Sequence, residues 1–214
     1  MELSVKTGRA QKIHIYIDGE YKMTVDSNFW YSEKWHNFNS IDEEELAELE
    51  SSVNSRRAFL NGMSLLSRRA HSKKEIITKL LQKYPKEAAQ SAADRLEELR
   101  LIDDKAFAEL YAQELYERKK YSPKRIEQEL KQKGITSEIA SETVKSLDKD
   151  DFNRIILLLN SKYRNKLSDE KNIKRTINGL MRMGYSYSDI KKALNEVADT
   201  DNDLKGNGNY YEEK

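Results

Sequence analysis

The chain has no cysteine, which excludes disulfides and thiolate metal sites and fits a reducing compartment. Two prolines and eight glycines in 214 residues leave long stretches with nothing to interrupt a helix. The three histidines, His14, His36 and His71, lack metal-ligand spacing, and no cysteine completes a set with them. No apolar run approaches the ~20 residues that span a bilayer, and the N-terminal residues have no signal-peptide core. Nucleophile elbows and kinase signatures are missing. Gly206-Asn207-Gly208 is followed by neither a helix nor Lys-Ser/Thr, so it is no phosphate loop. These absences predict a soluble cytoplasmic protein with no cofactor and no metal, and not an enzyme.

Charge is what the chain has in quantity. Charged residues make up 35% and hydrophobic ones 37%, a lean supply of core that suits small stacked modules better than one globule. The net charge of +1 hides a segregation. Residues 1–55 carry 5 Lys/Arg against 11 Asp/Glu, and residues 56–100 carry 11 against 5. Residues 101–147 balance at 9 and 9, residues 148–194 carry 11 against 6, and 195–214 carry 2 against 6. Basic segments between acidic ends suggest a polyanionic partner or a charged protein surface.

A repeat of 50 residues underlies this pattern. Ser122 aligns with Ser72 and Asn172, Leu130 with Leu80 and Leu180, and Gly134 with Tyr84 and Gly184. Such periods mark stacked helical units, each burying its neighbour's apolar face. The predicted fold is mainly all-α: three tandem three-helix units behind a small N-terminal β-hairpin module.

Residues 1–40 form that module. Lys12–Ile17 and Tyr21–Val25 alternate in polarity and join through Asp18-Gly19, the pair a type I′ turn favours. An isolated hairpin is marginal in water, so it needs a further strand or a helix. Phe29, Trp30, Tyr31, Trp35 and Phe38 supply a small core, or alternatively a stacking platform for bases. Residues 41–54 read as an acidic helical linker, with Glu43, Glu44 and Glu45 at the positive end of a helix dipole.

The three units follow at 55–101, 102–148 and 149–198. The first has Ala58, Phe59, Met63, Leu66 and Ala70 at helical spacing. Ser72 with Glu75 then makes a capping box ahead of Ile76, Ile77, Leu80 and Leu81, and an alanine-faced helix closes the unit. In the second, Asp103 or Asp104 caps a helix with Phe107, Leu110, Tyr111 and Leu115 inward. Ser122-Pro123 opens its middle helix, Gly134 closes it, and Thr136 caps the last. The third carries Ile155, Leu159 and Tyr163, then Ile173, Ile177, Leu180 and Met181, and finally Ile190, Ala193, Leu194 and Val197. Residues 199–214 are polar and acidic and read as a disordered tail.

Three stretches resemble a known family. Leu101-Ile102-Asp103-Asp104-Lys105-Ala106-Phe107-Ala108, followed by Arg125-Ile126-Glu127-Gln128-Glu129-Leu130-Lys131-Gln132-Lys133-Gly134-Ile135, is similar to the central RecX signature. Ser67-Arg68-Arg69-Ala70-His71-Ser72-Lys73-Lys74-Glu75 resembles the motif that opens the first RecX unit. The resemblance implies a regulator that binds the RecA filament on single-stranded DNA. It also implies restraint of that filament's ATPase, strand exchange and co-protease activities in recombinational repair and the SOS response.

Asp103-Asp104 reads better as a helix cap than as an acid–base pair, and Arg125 with Glu129 as a surface i, i+4 ion pair. The binding candidates are the cations around each middle helix. They are Arg68, Arg69, Lys73 and Lys74 in the first unit, and Lys119, Lys120, Lys124 and Arg125 in the second. In the third they are Lys162, Arg164, Lys166, Lys171, Lys174 and Arg175. The expected protein is a monomer that grips a filament groove or, alternatively, binds DNA directly through helix-turn-helix-like units.

Overall fold

A computed structural model describes residues 1–147, 150–167 and 169–206, and the chain divides into two compact units, Met1–Asp103 and Asp104 onward. In the first, strands β1 (Leu3–Thr7), β2 (Lys12–Ile17) and β3 (Glu20–Asp26) form an antiparallel sheet in that order. Asp18 and Gly19 both take positive φ, 49° and 81°, as the I′ turn demands. The strand that completes the hairpin is β1, whose Leu3 pairs with Ile17 and whose Thr7 pairs with Ile13. Only Leu3 of β1 is buried, so the strand lacks the apolar alternation that reveals one in sequence.

The inner face of the sheet, Ile13, Ile15, Ile17, Met23 and Val25, packs with Phe29 and Trp30 of α1 (Ser27–Ser32) and with Trp35. The aromatic cluster is therefore core, with Phe38 packed at its edge; Tyr31 is 61% exposed and stands outside it.

The acidic stretch from 41 is not a separate linker. It is the first half of one 24-residue helix, α2 (Glu43–Leu66), opened by a reciprocal capping box between Asp42 and Glu45. Leu49 and Val53 pack against the sheet, whereas Ala58 belongs to the core of the first three-helix unit. One helix thus serves two cores, because nothing between Glu43 and Leu66 breaks its hydrogen-bond ladder. Met63 points outward and Ala70 lies beyond the helix, both against expectation.

The first unit adds α3 (Lys73–Leu80) and α4 (Lys86–Glu98). Ser72 caps α3 by accepting from the Glu75 N–H at 3.2 Å. The second unit comprises α5 (Asp104–Glu114), running into a π turn at Leu115–Lys119, then α6 (Pro123–Gln132) and α7 (Ser137–Lys145). Ser122 and Thr136 cap α6 and α7 as read from the sequence. The third has α8 (Asp151–Asn160), a 3-10 turn at Arg164–Lys166, α9 (Glu170–Arg182) and α10 (Tyr187–Gly206).

Leu80, Leu130 and Leu180, one per repeat, are all at most 1% exposed. Outer positions of the apolar runs turn away instead: Leu81, Leu110 and Met181 are exposed, because each sits beside the inward stripe of its helix. The third repeat also shifts its cap. Asp169 accepts from the Asn172 N–H, so Asn172 stands at the third position of α9 while Ser72 and Ser122 stand at caps. Of the tail expected from residue 199, positions 199–206 instead continue α10. With no proline or glycine before Gly206 to stop propagation, α10 runs to that residue; positions 207–214 lie outside the described residues.

Candidate functional site

Two of the first unit's four candidate cations, Arg69 and Lys73, are occupied by acids. Lys73 Nζ lies 2.7 Å from both Asp94 and Glu97. Hydrogen bonds to those two carboxylates raise the Lys73 pKa, and the bond from Lys73 in turn lowers that of Asp94. Arg69 Nη1 sits 3.1 Å from Glu75 and donates to the Ala70 carbonyl at 2.7 Å. Arg68 and Lys74 are exposed. Between them His71 is 5% exposed, and burial lowers its pKa.

The second and third units share one compact body, and there the start of α6 meets the end of α9. The Ser122 N–H donates to the Met183 carbonyl at 2.9 Å, and Tyr185 Oη donates to the Lys120 carbonyl at 2.8 Å. Lys120 itself is held in the left-handed region at φ 58°. Burial raises the Tyr185 pKa, against the influence of Arg154. Arg154 donates to the Tyr116 carbonyl at 3.0 Å, with its guanidinium 3.5 Å from the centre of the Tyr116 ring. Gly184, at φ 97°, closes α9 where a Cβ would meet Ser122 Oγ and come within 2.5 Å of Arg125 Cβ. Only glycine allows both that backbone and that approach.

This junction frames a cleft of about 880 Å³. Lys124, Arg125, Lys162 and Arg182 bring positive charge to its lining, and Tyr121, Tyr163 and Tyr185 bring rings. Arg125 is paired to Glu129 at 2.5 Å, and that carboxylate is only 16% exposed, so the pair is more than a surface contact. Its guanidinium also lies 5.8 Å from the Tyr121 ring centre. The Arg125 Nε is buried without a hydrogen-bond partner among the described residues.

Of the sequence candidates, Lys124, Arg125 and Lys162 thus come together. Lys166 and Arg175 line a second, smaller cleft that shares Tyr163. Lys119, Arg164 and Lys171 are exposed outside both, and Lys174 is paired with Glu170 at 2.6 Å. Arg182 is not among the sequence candidates, which gather around helix starts; a cation in the last turn of α9 is the available signal. Tyr163 was legible only as core, and Tyr121 as neither core nor site. Among the described residues no group of three or more His, Cys, Asp or Glu could hold a metal ion, and no helix is long and apolar enough to cross a membrane.

Comparison with known proteins matches residues 58–96 to the RecX first three-helix domain and residues 103–144 to the RecX second three-helix domain. The chain is 25% identical over 206 residues to a regulatory protein RecX of Clostridium tetani, covering 94% of each chain. It is 28% identical over 193 residues to that of Clostridioides difficile, covering 89% of this chain and 91% of the relative. A crystal structure of a regulatory protein RecX shares the fold, with a TM-score of 0.64 at 23% identity over 89% of this chain and 98% of that one. With two successive RecX domains falling on the first two helical repeats, and relatives aligned along most of its length, the chain belongs to the RecX family.

Proposed function

We propose that this chain is a non-enzymatic regulator that binds the RecA–single-stranded DNA filament and inhibits or modulates its ATPase, strand exchange and co-protease activities. The observation that carries the reading is the pair of RecX three-helix domains at 58–96 and 103–144. It would act as a cytoplasmic monomer in recombinational repair and the SOS response. The mechanism is steric and electrostatic: helical units bridge neighbouring recombinase subunits, so ATP turnover falls without hydrolysis by this protein. Lys124, Arg125 and Arg182 offer a preset positive surface, since hydrogen bonds at Ser122 and Tyr185 fix the ends of α6 and α9 that carry them, and Lys162 joins it from the segment after α8. Lys73, already held by two carboxylates, contributes little.

Titrating the protein into a RecA–single-stranded DNA ATPase assay tests this directly. Turnover should fall with added protein, less so for Lys162→Glu or Arg182→Glu, and as for wild type with Lys73→Gln. Unchanged turnover at saturating protein would sink the reading. The cationic, tyrosine-lined cleft also favours a second reading, direct binding of single-stranded DNA. In that case affinity for DNA alone falls with salt by about 0.7 in log–log slope per phosphate contacted.

A further inference from the structure

The first two repeats bury isoleucine at matching positions of their middle helices: Ile76 and Ile126 are both 0% exposed. Fifty residues further the third repeat has Thr176, 1% exposed. Its Oγ1 is buried and has no hydrogen-bond partner among the described residues. A buried hydroxyl left in that state bears the whole cost of its desolvation, and apolar packing at this position is what the other two repeats use. The hydroxyl therefore needs a partner other than the described residues.

Thr176 lines a cleft of about 270 Å³ together with Tyr163, Lys166, Asn172 and Arg175. Lys166 comes from the 3-10 turn before α9, and its Nζ lies 5.8 Å from the Tyr163 ring centre. Arg175 Nη1 donates to Asn172 Oδ1 at 3.4 Å, which ties the guanidinium to the same helix face. The neighbouring carboxylates are engaged elsewhere. Asp169 accepts from the Asn172 backbone N–H at 2.8 Å and from its side-chain amide at 2.5 Å, while Glu170 pairs with Lys174. The cleft thus offers an ammonium, a guanidinium and a hydroxyl.

We infer that this cleft is a phosphoryl-binding pocket in which Thr176 Oγ1, Lys166 Nζ and the Arg175 guanidinium donate to one phosphate group, with Asn172 positioning Arg175. Three donors of different kinds, from a turn and from a helix, suit tetrahedral oxygens that point in several directions. A planar carboxylate would be satisfied by the arginine fork alone. The volume is below the roughly 300–1,000 Å³ of pockets that enclose whole small molecules, so it fits a phosphate with few attached atoms. Such a group comes either from a free phosphate or phosphomonoester, or from the backbone of a nucleic-acid strand.

Isothermal titration calorimetry on the full chain tests this, with inorganic phosphate and, separately, with an oligodeoxythymidylate. Wild type and Thr176→Ser should bind; Thr176→Val, which keeps the shape and loses the hydroxyl, should bind about tenfold more weakly or worse. Without ligand, Thr176→Val should melt no lower than wild type. Should Thr176→Val fail to fold, Arg175→Gln changes an exposed donor only and should weaken binding likewise. Weaker oligonucleotide binding, with a salt slope reduced by about 0.7, assigns the pocket to a strand phosphodiester. Weakening confined to inorganic phosphate assigns it to a free phosphate. No binding of either probe to wild type, or a lower melting temperature in Thr176→Val with both affinities unchanged, overturns the pocket. The assay contains no recombinase, so its outcome is independent of the filament reading.

Discussion

In the first three-helix unit the lysine that opens the middle helix is clasped by Asp94 and Glu97, and the nearby arginine by Glu75. In the third, Lys162 and Arg182 line a cleft with Lys124 and Arg125 of the second, and Lys166 and Arg175 line another. The two segments have nearly the same excess of positive residues, 11 against 5 and 11 against 6. Net charge therefore does not distinguish them; local pairing does. The first unit holds Arg69 and Lys73 in internal contacts, and the third leaves several cations lining clefts. Their cores differ in the same sense, with Ile76 in one and Thr176 in the other.

The shared frame can be broken most severely at its leucines. Leu80→Ala and Leu180→Ala should each destabilise by about 2–5 kcal/mol in urea denaturation, since both side chains are at most 1% exposed. A negligible cost for one alone would show that the repeats do not share a core position. Next in size is Gly184→Ala, which combines strain at positive φ with a collision against Ser122 and Arg125. It should cost about 1–3 kcal/mol. Gly19→Ala has the same strain and nothing within 4 Å, so the same denaturation assay should report a smaller loss there. Equal losses would mean that the close approach of the third repeat to the second contributes nothing.

The smallest effect is confined to the first unit. Burial lowers the His71 pKa below its usual 6.5, so the unfolded chain binds the proton more readily. Stability from this source is complete above about pH 6.5 and is lost as pH falls through the lowered folded value. Thermal melts of His71→Gln should show a shallower decline below that pH than wild type; identical slopes would exclude His71 as the source.

Much of this was legible in the residues. The Asp18-Gly19 turn, the Ser72, Ser122 and Thr136 caps, and the glycine that closes the second and third middle helices follow from local backbone chemistry. Strand β1 was not legible, because four of its five side chains are exposed and only pairing with β2 makes it a strand. Nor was the dual role of α2, since a helical period says which residues face inward but not toward which core. Among the candidate cations, residue type could not separate Lys73 from Lys162. The first meets carboxylates 21 and 24 positions away, Asp94 and Glu97, and the second lines a cleft with Lys124 and Arg125, more than 35 positions earlier.

The sequence by itself determined the three-helix repeat, its caps and its family, because these depend on interactions between residues a few positions apart and on a period that survives substitution. Tertiary structure alone decided which charges remain available and where a polar side chain is stranded. Those outcomes depend on partners distant along the chain, and no local pattern encodes which carboxylate a lysine will meet once the helices pack.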